Sequence, residues 1–132
     1  MTALVGRAIY AGEGAGTALV SSAPISFFGG VDLDTAVIVE KGHPLEGECL
    51  AGRVLVFPRG TGSTVGSFAL LRLARDGRGP AALVMAACDT TVAVGAIIAE
   101  IPCVDRIELD RIAAGTRVTV RGAEVHLEPA AP

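Results

Sequence analysis

Val54-Leu-Val-Phe-Pro-Arg-Gly-Thr-Gly-Ser-Thr-Val-Gly-Ser67 is the stretch that decides the fold. It opens as a buried strand: residues 53–57 form a short apolar, β-branched run that Pro58 stops. It closes on a glycine turn, and Phe68-Ala-Leu-Leu-Arg-Leu-Ala-Arg75 follows as a helix over 67–75, with Phe68, Leu71 and Ala74 at i, i+3 spacing. Asp76-Gly-Arg-Gly-Pro80 breaks that helix, and residues 81–85 are a second buried run. Strand, helix and strand make a βαβ unit, which requires parallel strands and a right-handed crossover.

The turn inside this unit is where the chain looks like chemistry. Gly60, Gly62 and Gly66 alternate with the hydroxyls of Thr61, Ser63, Thr64 and Ser67, between a strand end and a helix start. Backbone N–H groups can converge there on an anion, and the helix dipole favours negative charge. A serine is a poor base unless its alkoxide is stabilised by such donors. Ser67, directly before the apolar run, is the expected helix cap, and a hydroxyl of the turn held in that field would have its alkoxide form stabilised. A triphosphate-binding loop would need a Lys after the glycines, and Gly62-Ser63-Thr64 has none. A dinucleotide site is a closer mimic, with Asp89 past the next strand as the ribose-binding acid. However, Gly60-x-Gly62-x-x-x-Gly66 is not G-x-G-x-x-G, and the remaining βα units are missing.

Working outward, residues 4–10 and 17–21 read as strands separated by a turn at Gly12-Glu-Gly-Ala-Gly16. Phe27 and Phe28 precede a second glycine corner, Gly29-Gly30; they anchor a core beside a tight turn, or the corner's backbone approaches a ligand closely. Residues 36–40 read as a strand, and His43, set before Pro44, is expected in a surface loop with a structural role. Asp89-Thr-Thr91 caps a helix over 92–100 that is apolar nearly all round, so it is buried on most sides or covered by another chain. Residues 101–104 are a short buried segment, and 117–121 with 124–127 form a hairpin across Gly122-Ala123. The class is α/β with a mixed sheet and about two helices, residues 1–132 forming a single domain.

Composition narrows the function classes. Hydrophobic residues are 51% and charged residues 19%, with no Trp, so the core is built from Ala, Val, Leu and Ile. A formal charge of −3 with scattered basic residues speaks against a nucleic-acid partner. The longest apolar run, 92–99, is too short to cross a membrane, and residues 1–7 do not read as a signal peptide. The default location is cytoplasmic. Cys49, Cys88 and Cys103 are far apart without a C-x-x-C pair, and His43 and His126 do not complete a ligand set. No metal is expected on this chain alone. Neither histidine lies in a glycine turn before a helix, which sets aside a phosphohistidine carrier.

Several blocks in order resemble one family: Phe28-Gly-Gly-Val-Asp32, Gly42-His-Pro-Leu45, Phe57-Pro-x-Gly-x-Gly-Ser-Thr-Val-Gly-Ser67, Gly79-Pro-Ala-Ala82 and Val94-Gly-Ala-Ile-Ile-Ala-Glu-Ile-Pro102. Together they are similar to the small-subunit or swivel-domain family of aconitase X, over nearly the whole chain. The resemblance implies a swivelling β/β/α domain with a central βαβ unit and a C-terminal hairpin. It implies a hydro-lyase active only with a large subunit that carries an iron–sulfur cluster, whose iron would act as a Lewis acid on the leaving hydroxyl. It gives Ser63, within Gly62-Ser63-Thr64, the role of catalytic base. Gly60, Thr61, Gly62, Thr64 and the Gly29-Gly30 corner are the expected substrate-binding positions. Aconitases carry an Arg just after this serine motif where this chain has Val65, so Arg59 or the partner must supply that cation. Two substrates are known for the family, cis-3-hydroxy-L-proline and mevalonate 5-phosphate. Ten Arg against one Lys point to a GC-rich, bacterial source, and hydroxyproline is therefore the expected substrate. A free-standing small-ligand or nucleotide-binding module is the remaining alternative.

Overall fold

A computed structural model describes residues 2–128. In chain order the elements are β1 (Thr2–Val5), β2 (Arg7–Tyr10), β3 (Glu13–Val20), β4 (Val54–Phe57), α1 (Gly66–Arg75), β5 (Ala82–Met85), α2 (Thr90–Ala99), β6 (Cys103–Asp105), β7 (Arg117–Arg121) and β8 (Glu124–Leu127). The strands form one mixed sheet in the order β1-β8-β7-β3-β4-β5-β6-β2. Strands β3, β4, β5 and β6 pair in parallel; the remaining pairs are antiparallel.

The βαβ unit is the centre of this sheet, and its strands show why. Along β4, Val54 and Val56 pack into one apolar cluster while Leu55 and Phe57 pack into the other. Ala82 and Val84 against Leu83 and Met85 repeat the division along β5. Both strands are therefore buried on both faces, which is why they read as continuous apolar runs. One cluster lies under the helices, with Leu70, Leu73, Val92 and Ala96; the other lies under β7 and β8, with Val118, Val120 and Val125. Full burial of each Val, Leu, Phe or Met side chain among them contributes about 1.5–3 kcal/mol.

The residues expected as one strand over 4–10 are two. Gly6 bends between β1 and β2, its N–H bonded to Ala123 O at 2.9 Å. The last strand in the sheet order thus follows the first directly in the chain, and the sheet's two edges meet at this bend. The expected turn at 12–16 is instead the first half of β3, paired with β7 from Glu13 to Thr17. Its glycines serve close approach: a Cβ at Gly14 would sit 2.1 Å from Ala81 O, and one at Gly16 2.6 Å from Gly52 O.

Three further expectations change. Residues 36–40 hold only isolated bridges, Val31↔Ile38 and Val37↔Cys49, because Ala36 turns into the left-handed region at φ 64° and breaks the extended run. His43 is buried, not a surface residue: Nδ1 accepts from the Leu45 N–H at 3.0 Å and Nε2 lies 2.9 Å from Pro24 O. One neutral tautomer serves both contacts, so its role is structural. Helix α1 starts at Gly66 and buries Ser67, Ala69, Leu70 and Leu73, whereas Phe68 stands 66% exposed. Helix α2 buries Val92, Gly95 and Ala96 and leaves Val94, Ile97 and Ile98 exposed. Gly95 lets the helices touch, since a Cβ there would lie 2.7 Å from Leu70 Cδ1 and 3.1 Å from Ser67 Cα. Among the described residues no helix is long and apolar enough to cross a membrane.

Candidate active site

The glycine turn hangs between β4 and α1, over the N-terminus of α2. Ile25 pairs with Gly60 as an isolated parallel bridge: the Ile25 N–H bonds Arg59 O at 3.2 Å and the Thr61 N–H bonds Ile25 O at 3.0 Å. Beyond Thr61 the chain leaves the sheet, and residues 61–65 are all exposed. Gly62 takes φ 89°, and a Cβ there would lie 2.5 Å from Ser26 Oγ, so both backbone shape and space require glycine.

The loop's N–H groups divide sharply. The Gly60 N–H is taken by Asp89 Oδ1 at 2.7 Å, and the Val65 N–H by Ser63 Oγ at 3.1 Å. The Gly66 and Ser67 N–H groups bond the carbonyls of Ser63 and Thr64. Between them, the N–H groups of Gly62, Ser63 and Thr64 have no partner among the described residues. Three consecutive uncommitted donors at the mouth of a helix suit an anion. Gly60 is not part of it: its donor points inward, and its missing Cβ keeps Asp89 Oδ1 and Val92 Cγ2 in place, at 2.9 and 2.5 Å from that position.

Ser63 is exposed, and its oxygen already accepts one backbone N–H. That bond strengthens as charge builds on the oxygen, so the geometry that orders the turn also favours the alkoxide. Ser67 is not the cap. Val65 holds the N-cap position without a side-chain bond, and Ser67, buried within α1, donates its hydroxyl to Thr91 O at 2.6 Å. Asp89 does cap α2, accepting the Val92 N–H on Oδ2 at 3.2 Å. Its second bond, to Gly60, joins residues too distant in sequence for a capping pattern to reveal.

The second glycine corner adjoins the first. Ser26 faces Gly62, and Phe28 N lies 3.9 Å from the Cβ position of Gly66. Gly29 is exposed with φ 97°, while Gly30 is buried with its N–H on Ser26 O at 3.1 Å, so only Gly29 can meet a ligand. Arg59 is exposed at the start of the loop. A groove of about 250 Å³ between the helices is lined by Thr64, Ser67, Phe68, Thr90, Thr91 and Val94. Phe28, Val65, Phe68 and Val94 are 50%, 43%, 66% and 44% exposed, an apolar rim on the elements that carry the loop.

Behind the site, Asp105 anchors the segment that leads into α2. Its carboxylate takes Arg7 Nε at 3.0 Å, Arg7 Nη2 at 2.8 Å and the Cys88 N–H at 2.9 Å. Burial alone would push this carboxyl up; the bonds from Arg7 and Cys88 and the charges of Arg7 and Arg106 outweigh it and hold it below the usual carboxylate range. Cys103 is buried, Cys88 half-buried and Cys49 exposed. Among the described residues no group of three or more His, Cys, Asp or Glu converges on a point that could hold a metal ion. Among the described residues no ligand set for an iron–sulfur cluster comes together.

Residues 3–128 match the family model described as the aconitase X swivel domain. The chain belongs to that family. A crystal structure of Thermococcus kodakaraensis aconitase X in its holo form contains a chain that superposes with a TM-score of 0.95, over 98% of this chain and 100% of that one, at 38% identity. Among curated relatives, the phosphomevalonate dehydratase small subunits of Thermococcus sibiricus and Methanocella arvoryzae are 46% and 48% identical, covering 95% and 89% of this chain and 98% and 91% of their own. The swivel-type fold read from the sequence, with its central βαβ unit and C-terminal hairpin, is the fold of these structures.

Proposed function

We propose that this chain is the small subunit of a mevalonate 5-phosphate dehydratase and works with a large, iron–sulfur-bearing partner chain. The observation that carries the reading is the similarity along nearly the whole chain to small subunits bearing that name. It favours mevalonate 5-phosphate over hydroxyproline, the substrate expected from the sequence. The arginine-rich composition behind that expectation reports coding bias and nothing about a pocket.

The site's chemistry supports the same choice. Mevalonate 5-phosphate carries a carboxylate and a phosphate, both anions, and the uncommitted N–H groups of Gly62, Ser63 and Thr64 suit either. Hydroxyproline carries a secondary ammonium as well, which calls for a carboxylate. Residues 59–67 contain no acidic side chain, and the nearby Asp89 carboxylate is already spent on two backbone donors. In the proposed step the Ser63 alkoxide takes the proton from the carbon beside the substrate carboxylate. The C–H electrons form the C=C bond as the neighbouring C–O bond breaks with its electron pair; the departing hydroxide takes up the proton that Ser63 gained and leaves as water, which restores the alkoxide. The Val65 N–H and the start of α1 stabilise the alkoxide; the Gly62–Thr64 donors hold the anionic group beside it.

The test is reconstitution with the large chain and a comparison of substrates. The complex is expected to dehydrate mevalonate 5-phosphate and leave cis-3-hydroxy-L-proline unchanged, with neither turned over by this chain alone. Preferential turnover of hydroxyproline would overturn the substrate, and turnover by the isolated chain would overturn the subunit role.

A further inference from the structure

Both ends of the reactive loop are fastened to one short segment, at Asp89 and Thr91. At one end, Asp89 Oδ1 holds the Gly60 N–H at 2.7 Å. At the other, the Ser67 hydroxyl donates to Thr91 O at 2.6 Å. The residues between, 61–65, are exposed and carry Ser63 at their middle. The first turn of α2 is thus a platform on which the arc stands by two feet. The platform is itself fixed from behind, because Asp105 holds the Cys88 N–H at 2.9 Å and is gripped by Arg7. Space is closed as well: the Gly60 Cβ position lies 2.5 Å from Val92 Cγ2, and the Gly95 Cβ position lies 3.1 Å from Ser67 Cα.

We propose that Asp89 is a positioning residue for the dehydration, holding the Ser63 loop in register with the substrate through its bond to Gly60. The inference rests on Ser63 being the base. Asp89 touches no reacting atom; its carboxylate links two backbone donors, Gly60 N–H and Val92 N–H, that belong to different elements. Only the second is a helix cap, and capping alone would be served by any short oxygen-bearing side chain. The first requires a side chain with two acceptors set to face opposite ways. A base displaced by about 1 Å costs on the order of a hundredfold in rate, which is the scale of effect a released foot should produce.

Asp89→Ser separates the two jobs. Serine caps the Val92 N–H but has one oxygen and cannot also hold Gly60. In the reconstituted complex, kcat is expected to fall roughly tenfold to a hundredfold with KM little changed. Hydrogen exchange across the loop peptide that follows β4 is expected to quicken and the thermal midpoint to fall by about 2–6 °C, because the buried Gly60 N–H loses its acceptor, while the assembly of the complex stays near wild type. A kcat within about twofold of wild type, with or without a change in exchange, would overturn the proposal. So would a fall in kcat without faster loop exchange, or one that only tracks loss of assembled complex. Ser63→Ala, run alongside, keeps the two readings apart. If it retains turnover, the base assignment fails and takes the catalytic part of this proposal with it; unchanged exchange in Asp89→Ser refutes the fastening whatever Ser63 does.

Discussion

Ser63→Ala offers the sharpest separation of chemistry from structure. The substitution removes one hydrogen bond, the Val65 N–H to Ser63 Oγ at 3.1 Å, on an exposed turn where water replaces it. A bond of that kind contributes at most about 1 kcal/mol net. The loop keeps its tie to Asp89 and its tie from Ser67 to Thr91, and the three uncommitted donors stay where they are. Loss of a positioned general base, by contrast, costs about a hundredfold to ten-thousandfold in rate. At about 1.36 kcal/mol per decade that is roughly 2.7–5.4 kcal/mol of barrier. The two magnitudes differ enough to be read independently. Turnover of mevalonate 5-phosphate by the reconstituted complex should drop two to four decades, on that scale, with KM nearly unchanged, while the thermal midpoint moves by only about 2–6 °C. Ser67→Ala has a different profile. It strips a buried hydroxyl from Thr91 O and frees one end of the loop, so it should cost about 1–2 kcal/mol in stability and lower turnover by roughly tenfold to a hundredfold, with faster exchange in the loop that Ser63→Ala does not show. Turnover by Ser63→Ala within about threefold of wild type would refute the base assignment and move the proton acceptor to the partner chain.

Two other outcomes follow from the same geometry. Phe68→Asp, at a side chain 66% exposed on the rim of the loop, should leave the isolated chain folded and weaken its association with the large chain by about tenfold or more; unchanged affinity in a binding titration would remove this face from the interface. The depressed Asp105 carboxyl should make the fold acid-sensitive: its folded value lies below the unfolded one, roughly 3.9, so its stabilisation is present above that pH and lost as pH falls through the folded value. Asp105→Asn should therefore be less stable than wild type at neutral pH and show a shallower loss of denaturation midpoint on acidification, and parallel slopes would contradict the assignment.

What could be read from the sequence was whatever a local pattern determines. The βαβ unit was legible because Val54-Leu-Val-Phe57 is buried on both faces, and such a strand leaves an unbroken apolar run. The Asp89 cap and the hairpin across Gly122 were legible for the same reason: each is decided within a few residues. Non-local causes defeated the pattern. Gly14 and Gly16 resembled a turn because glycine breaks structure locally, yet they are glycine because Ala81 O and Gly52 O press against them from other segments. His43 resembled a surface residue because Pro44 constrains its backbone, which says nothing of the Pro24 carbonyl waiting for its ring. Ser67 resembled a cap because it precedes the apolar run, but the helix begins one residue earlier and its hydroxyl serves Thr91. Ser63 itself came from the resemblance between motifs, and the geometry adds the Val65 N–H that makes its oxygen a better acceptor of charge.

The exposed state of the loop is what ties its chemistry to a partner. Three unspent N–H donors and a serine hydroxyl facing water gain little from one another, because solvent competes for each donor and screens any charge on Ser63. The same groups become strong when water is removed, since a preorganised donor in a low-dielectric site needs no reorganisation as charge develops. Nothing among the described residues covers them: the rim that would have to be sealed, Phe28, Val65, Phe68 and Val94, is apolar and open. A partner surface that buries this rim would gain hydrophobic free energy at the rim and dry the donors at its centre in one docking event. The rigid platform of residues 89–91 then matters for a specific reason. A loop free to move could satisfy its own donors when covered; one fastened at Gly60 and Ser67 would keep those of Gly62, Ser63 and Thr64 open to an anion brought beneath such a seal.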